Sequence, residues 1–358
     1  MTRTADVAIV GAGMAGASLA AEIAPHASVL LIEAEDHPGY HSTGRSAAFW
    51  SESYGGPRVQ PLTSASGAFL AERGFLRPRG ALHIADAEGA AALSALESQF
   101  AGTPVALERV DDVAARIPGL RPGWYEALWE PSCADIDVAA LHAFYLAAAK
   151  RAGARLVTGT RIERAERRGG VWRIGGGFEA AIFVDAAGAW ADPVARAAGV
   201  APLGIRPFRR TIAQLRVSPP VPAGLPLVID AAGRFYFKPE AGGRLWLSPH
   251  DETPCEAGDC AAEELDVAVA IDRLEGAVDW RVERVERSWA GLRTFAPDRL
   301  PVYGFEPTAE GFFWFAGQGG FGIQTAPAAA RLGAALLLGR SSEPGLDPAF
   351  YTPARFRN

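Results

Sequence analysis

The sequence predicts an α/β protein in which a dinucleotide-binding unit, assembled from separated segments, encloses an inserted mixed or antiparallel sheet. Three observations carry this expectation. A glycine-spaced turn, Gly11-Ala12-Gly13-Met14-Ala15-Gly16, joins a short apolar run to a helix-forming run. The middle of the chain changes to short strand patterns separated by turn residues. A second glycine-rich turn, Gly317-Gln318-Gly319-Gly320-Phe321-Gly322, opens another helical pattern near the end. At 358 residues the chain is long for a single core and fits two lobes at roughly 150 residues each.

The elements follow in order. Residues 6–10 (DVAIV) are apolar at nearly every position, as a buried parallel strand requires. Residues 14–24 supply alanines with Leu19 and Ile23, and Pro25 ends the helix. Residues 29–33 (VLLIE) read as the next buried strand, completing a βαβ unit of about 30 residues. After an irregular stretch, 82–85 reads as a strand and 90–100 as a short helix. Asp137 caps a helix that runs through Arg151 to a stop at Gly153. Strands are expected at 155–157, 161–165, 171–174 and 181–185, with turns at Gly159 and Gly169-Gly170. From 206 to 285 the pattern is mostly short strands, notably 211–217, 235–238 and 244–248. Strand 312–316 and a helix over 323–338 close the chain. The expected partition assigns 1–78, 136–203 and 286–358 to the dinucleotide domain, with 79–135 and 204–285 as the substrate domain.

A hydrophobic content of 49% against 21% charged residues supplies a full core. The net charge of −6 lacks the field of Lys and Arg that phosphate backbones demand, so nucleic acid is not the expected partner. Cys133, Cys255 and Cys260 form no CxxC pair and no His/Cys cluster, which argues against a disulfide framework or a metal site. With no basic leader and no apolar run near the ~20 residues of a membrane span, the expected location is cytoplasmic.

Gly11, Gly13 and Gly16 have separate tasks: a tight turn, close approach to a pyrophosphate, and close helix–strand packing. The pyrophosphate would rest on the helix N-terminus, and Glu33 would accept from ribose hydroxyls while repelling a 2′-phosphate. NADP is therefore disfavoured, while FAD and NAD stay open on this unit alone. The loop His41-Ser42-Thr43-Gly44-Arg45-Ser46-Ala47-Ala48 offers small and hydroxyl-bearing residues around one Arg, equally consistent with a surface turn. Val184-Asp185-Ala186-Ala187-Gly188-Ala189-Trp190 and the late glycine loop complete four constellations.

These four, with the segment AGLRTFAPDRLPVYG, resemble the FAD-dependent D-amino acid oxidase/glycine oxidase family over nearly the whole chain. Within it, GYHSTGRSAA and QGGFGIQT are most similar to the bacterial D-arginine dehydrogenases. The resemblance implies non-covalent FAD in a glutathione-reductase-like Rossmann domain. It implies that Gly11, Gly13, Met14, Ala15, Gly16, Glu33 and Ala34 hold the ADP half. Ser42, Thr43, Arg45, Ser46, Ala47, Ala48, Ala187, Gly188 and Trp190 would follow the pyrophosphate and ring. Gly319, Gly320, Gly322, Ile323, Gln324 and Arg293 would lie near the flavin. Arg293 and Arg210 would fork onto a substrate carboxylate, beside Tyr54 and Tyr236. Arg209 is the alternative to Arg210, since adjacent strand residues face opposite ways. Phe49, Ser51, Gly80, Gly320, Phe321 and Gln324 would surround the substrate.

Two positions depart from the arginine dehydrogenase pattern: Phe49 replaces a histidine, and Gly80 replaces the glutamate that receives the substrate guanidinium. With Phe49, Trp50 and Phe321 near the expected mouth, the implied substrate is a D-amino acid with a neutral or aromatic side chain, not D-arginine. Oxidative deamination would give a 2-oxo acid and ammonia, with oxygen or a quinone as electron acceptor. The alternatives are a glycine-, sarcosine- or N-alkyl amino acid oxidase, an NAD-dependent dehydrogenase, and a flavin-binding subunit without turnover.

Overall fold

Strand Arg3–Val10 lies inside an eight-stranded sheet, parallel to Phe178–Asp185 on one side and Val29–Ile32 on the other. The computed structural model describes residues 3–357; Met1, Thr2 and Asn358 of the expected dinucleotide segments lie outside the described residues. The apolar runs noted in the sequence are explained by cover on both faces. Val7, Ile9, Leu31, Val184 and Phe313 pack under helices Met14–Ile23 and Ala326–Leu337. Ala8, Val10, Leu30, Ile32 and Phe183 pack against the opposite layer, which holds Trp172 and helix Ala191–Ala197. Strand Arg155–Val157 joins one side in parallel, and Phe312–Ala316 pairs with the end of Phe178–Asp185.

The hairpin at the edge of this sheet departs from the expectation. No strand forms over 161–164; the strand is Ala165–Arg168. The cause is the turn: Gly169 and Gly170 both have positive φ, 58° and 83°, and a two-residue loop of that kind pairs Arg168 directly with Val171. Residues 161–163 instead fold back toward the carboxyl end of the sheet.

A second sheet of ten strands carries the inserted segments. Its spine is two long antiparallel strands, Arg206–Ser218 and Arg281–Phe295, paired from Arg206 opposite Phe295 to Ser218 opposite Arg281. The second of these runs through the expected boundary at 286, so it belongs to neither segment alone. Helix Glu264–Ala277, absent from the sequence expectation, covers this sheet with Val267, Ala270, Leu274 and Ala277. A three-stranded sheet of Phe49–Trp50, Ala134–Ile136 and Leu76–Pro78 forms separately. Helix Gln60–Glu72 also went unpredicted; Ser66 accepts from the Ala328 amide at 3.1 Å, so tertiary contact offsets its weak Ser/Thr/Gly helix propensity. Helix 323–338 shortens to Ala326–Leu337, because residues 320–325 remain turns ahead of Pro327. Among the described residues no helix is long and apolar enough to cross a membrane.

Candidate active site

A cavity of about 420 Å³ runs from the carboxyl end of the first sheet to the face of the second. At one end it is lined by Gly11, Gly13, Met14, Ala15, Glu33 and Ala34, where helix Met14–Ile23 begins. Gly11 has φ +99°, and a Cβ there would stand 2.5 Å from the Ala186 carbonyl oxygen. A Cβ on Gly16 would meet the Gly11 carbonyl, so that residue serves the helix–strand approach and does not line the cavity. Glu33 accepts from the amides of Ala12 (2.7 Å) and Glu35 (3.0 Å), fixing its carboxylate at the cavity wall.

The loop after the second strand closes over the middle of this cavity. Thr43 Oγ1 accepts from the Met14 amide at 2.9 Å, and Ser42 Oγ donates to the Leu292 carbonyl at 2.6 Å. Arg45 pairs with Asp259 and donates to the carbonyls of Cys260 (3.2 Å) and Ala290 (3.3 Å). The loop is thus fastened to both sheets. Ser46, Ala187, Gly188, Trp190, Gly319, Gly320, Gly322 and Ile323 line the remaining walls.

At the far end stand two guanidiniums. The strand register sets Arg210 opposite Gly291 and Arg293 opposite Phe208, so both arginines share one face of the sheet as diagonal neighbours. Arg293 Nη1 donates to the Gly320 carbonyl at 2.9 Å, while its Nε is enclosed without a partner. Arg210 Nε donates to the Asp251 carbonyl (2.7 Å) and Nη2 to Glu252 (3.1 Å), while Nη1 is enclosed without a partner. Burial, then the neighbouring Arg293, pushes the Arg210 pKa below its ordinary value. Arg209 faces the other way, onto Glu263 and Asp266, which resolves the choice between the two.

Tyr236 and His250 complete the cluster, their rings 5.5 Å apart and edge to face. Tyr236 Oη and His250 Nδ1 are likewise enclosed and unpaired. Burial, then Arg210 and Arg293, pushes His250 down to about 3, so its ring is neutral at ordinary pH. Buried donors without acceptors are costly, roughly 1–3 kcal/mol each, and a cluster of them is what an absent anion leaves behind.

The family model for FAD-dependent oxidoreductases of the DAO type matches residues 6–336. The chain belongs to the DAO family. It is 29% identical over 257 residues to a glycine oxidase of Pseudomonas aeruginosa, covering 68% of this chain and 66% of that protein. It is 30% identical over 266 residues to a glycine oxidase of Pseudomonas putida, covering 69% and 67%. The chain thus spans about two thirds of the length of these relatives. The crystal structure of glycine oxidase from Geobacillus kaustophilus superposes with a TM-score of 0.86 at 24% identity, covering 99% of each chain.

FAD is the cofactor of the DAO family, and the cavity fits it: the glycine cradle and helix N-terminus suit a pyrophosphate, and Glu33 suits a ribose. At its edge His41 Nδ1 is enclosed without a partner. Several expected residues lie elsewhere in this DAO-family site. Ala47 and Ala48 are buried in packing clusters and line neither cavity. Ser51 and Gln324 are buried; Gln324 accepts from the Ser51 amide (3.2 Å) and donates to the Tyr54 carbonyl (3.1 Å), so it positions the Tyr54 segment without facing the cavity. Phe321 packs on Val59 and Phe295, and Trp50 donates to the Thr63 carbonyl, so neither stands at the mouth. Gly80 has φ +74° and lies against the Trp129 ring, where a Cβ would fall 1.8 Å from a ring carbon, so a larger side chain would strain the backbone and require the ring to shift.

Phe49, Tyr54 and Tyr236 instead border a second cavity of about 360 Å³, which also reaches His250, His83, Ile229 and Leu96. The sequence reading missed His250 and His83. Each is a lone histidine with no spacing pattern; the sheet register brings His83 to this face, and His250 reaches it from the loop after strand Arg244–Ser248.

Asp185 sits beneath the cofactor loop, fully buried, accepting from the Ala187 amide at 3.0 Å with its second oxygen unpaired. Burial raises its pKa well above the usual carboxylate range. The folded protein therefore favours the protonated acid; that contribution is complete below the unfolded value near pH 4 and is lost as pH rises through the folded value. Asp185→Asn, neutral throughout, is expected to melt higher than the parent, with a gap that widens from pH 4 to pH 8. Thermal melts of both proteins across that range check this.

Proposed function

We propose that this DAO-family protein oxidatively deaminates a D-amino acid with a neutral or aromatic side chain. The observation that carries the reading is the set of enclosed, unpaired donors on Arg210 and Arg293 at the end of the cofactor cavity, with the Tyr236 hydroxyl beside them on the wall of the second cavity. One carboxylate would satisfy them. In this reading residues 1–78, 136–203 and 286–358 hold FAD and the inserted segments hold the substrate. The ADP half would lie on Gly11, Gly13 and Glu33, and the ring near Ser42, Arg45, Gly320 and Ile323.

FAD, when bound, supplies an acceptor for the hydride leaving the substrate Cα. The chain's own contribution is placement. Arg210 and Arg293 fork onto the carboxylate, Tyr54 closes over Gly320, and the second cavity takes the side chain. Two positive charges beside the substrate disfavour an ammonium, so the amine enters neutral and its proton leaves to water. His250 is too weakly basic to hold that proton. The imine product hydrolyses in water to a 2-oxo acid and ammonia. The D configuration and the likeness to D-arginine dehydrogenases rest on motif wording alone. Among the described residues of the second cavity a guanidinium side chain would find no free carboxylate: Asp230, on its wall, is held by Arg234 Nε (2.7 Å) and Nη2 (2.9 Å).

The names of the Pseudomonas relatives favour a second reading, an oxidase of glycine or an N-alkyl amino acid. The second cavity favours a substrate with a side chain to fill it. Anaerobic reduction of the flavin separates the two. D-Phenylalanine and D-leucine are expected to bleach it faster than their L forms, D-arginine, glycine or sarcosine. Faster bleaching by glycine or sarcosine would transfer the assignment to the second reading.

A further inference from the structure

Behind the second cavity lies a buried, hydrogen-bonded glutamate–histidine pair that the proposed reaction does not use. Glu130 is fully buried, and both of its oxygens are taken. Oε1 accepts from the amides of Glu52 (2.7 Å) and Ser53 (3.3 Å). Oε2 accepts from Ser51 Oγ (3.0 Å), Ser53 Oγ (2.6 Å) and His83 Nε2 (3.1 Å). Burial alone would raise the Glu130 pKa, but His83 and the serines hold it below the usual carboxylate range. As a carboxylate it accepts only, which places a proton on His83 Nε2. With Nε2 taken by Glu130, Nδ1 is the ring nitrogen left to face the cavity. That atom has no protein partner among the described residues, is absent from the fully enclosed unpaired atoms, and belongs to a side chain that lines the cavity.

The register sets His83 on the face that carries Tyr236. His83 is paired with Ile229, and Ile229 with Tyr236, so the three stand in one row across adjacent strands on a single face. At about 4.8 Å between strands, His83 lies roughly 10 Å from Tyr236, comparable to a phenylalanine-sized substrate from its carboxylate to a para substituent. Phe49 and Leu96 supply apolar walls between the two ends.

Building on the amino acid reading above, we infer that His83, held by Glu130, is a specificity-determining residue that accepts a hydrogen bond from the far end of the substrate side chain. The preferred class is therefore an aromatic D-amino acid ending in a neutral donor, a phenol, over its unsubstituted counterpart. A site built around a buried acceptor rejects the analogue lacking the donor, because the acceptor then stays unpaired.

The test uses the FAD-loaded protein and two ligands that need no turnover, 3-(4-hydroxyphenyl)propanoate and 3-phenylpropanoate, titrated through the flavin absorbance. The phenol is expected to bind about tenfold more tightly, in line with one hydrogen bond to a buried acceptor. His83→Leu should reduce that ratio to near unity while leaving the affinity for 3-phenylpropanoate within about threefold, and His83→Gln, which keeps an acceptor, should restore part of it. Glu130→Gln is expected to erode the ratio by releasing the tautomer. A parental ratio near unity, or one that survives His83→Leu, overturns the inference. A phenol preference in a protein whose flavin no D-amino acid reduces would leave this subsite standing and remove the proposed reaction instead. Should His83→Leu fail to retain FAD, the parental ratio together with that of His83→Gln decides the matter: a ratio near unity in the parent rejects it, and retention by His83→Gln of a preference present in the parent supports it.

Discussion

Replacing Arg293 by alanine is expected to lower kcat/KM for the preferred amino acid by about thirty- to several-thousandfold, the equivalent of 2–5 kcal/mol for truncating one partner of a buried charged hydrogen-bonded pair. The loss has a specific shape. Arg293 reaches the site from the long strand Arg281–Phe295 and is held in place by the Gly320 carbonyl, with no acidic partner of its own among the described residues. Glu252 and Asp251 act on its charge only through space, so no carboxylate is hydrogen-bonded to it until a substrate arrives. An amine without that carboxylate, such as phenethylamine beside D-phenylalanine, gains nothing from the guanidinium and should lose far less. Stopped-flow reduction of the flavin by both compounds, in parent and variant, measures the difference. Equal losses on both would remove the carboxylate role and with it the proposed substrate class. Arg210→Ala should behave similarly, since Arg299 still holds Glu252, while Arg209→Ala should affect stability and not substrate discrimination.

The second large effect concerns the cofactor. Gly11→Ala is expected to yield protein that purifies with little or no FAD and melts at a lower temperature. The backbone at Gly11 has φ +99°, a region that costs a residue with a Cβ on the order of 1–3 kcal/mol. The added carbon would also stand 2.5 Å from the Ala186 carbonyl oxygen and 2.9 Å from its carbon, and both are backbone atoms that no rotamer change can move. The strain falls on the two loops that border the pyrophosphate end of the cavity, Gly11–Ala15 and Ala186–Ala189. Flavin-to-protein absorbance ratio and thermal melting test it; a variant with a full complement of FAD would show that the cradle tolerates the shift.

The sequence made the first βαβ unit legible because strands buried on both faces read as unbroken apolar runs, and 6–10 and 29–33 do. Helix Ala90–Phe100 and the Asp137 cap of helix Val138–Arg151 were equally readable, since each depends on residues within one turn. Helix Glu264–Ala277 was hidden in plain view: Val267, Ala270, Leu274 and Ala277 keep a helical period, but they sit in a region otherwise dominated by strand patterns. Helix Gln60–Glu72 has no such signal and is stabilised from outside, by contact with the final helix.

The cofactor residues were readable because phosphate cradles need glycines at fixed offsets within a single loop. The substrate side was only half readable. Arg210 and Arg209 are adjacent in sequence, and their separation depends on Glu263 and Asp266, more than fifty residues away. The group around Glu130 draws Ser51 and Ser53 from one distant segment and His83 from another, so no local spacing announces it. Gly80 was assigned to the substrate by position in an aligned motif, whereas the Trp129 ring already occupies the space beside it.

Strand Arg206–Ser218 has partners on both edges, Arg281–Phe295 along one side and Arg244–Ser248 with Thr253–Pro254 along the other. A single inserted or deleted residue ahead of Arg210 would therefore rotate the alternation by half a period, exchanging the two arginines. The guanidinium that faces acids would be traded for the one that lines the cavity, removing the proposed carboxylate contact. Evolutionary changes of length in this lobe should accordingly collect in its connecting turns and spare the paired interior of this strand.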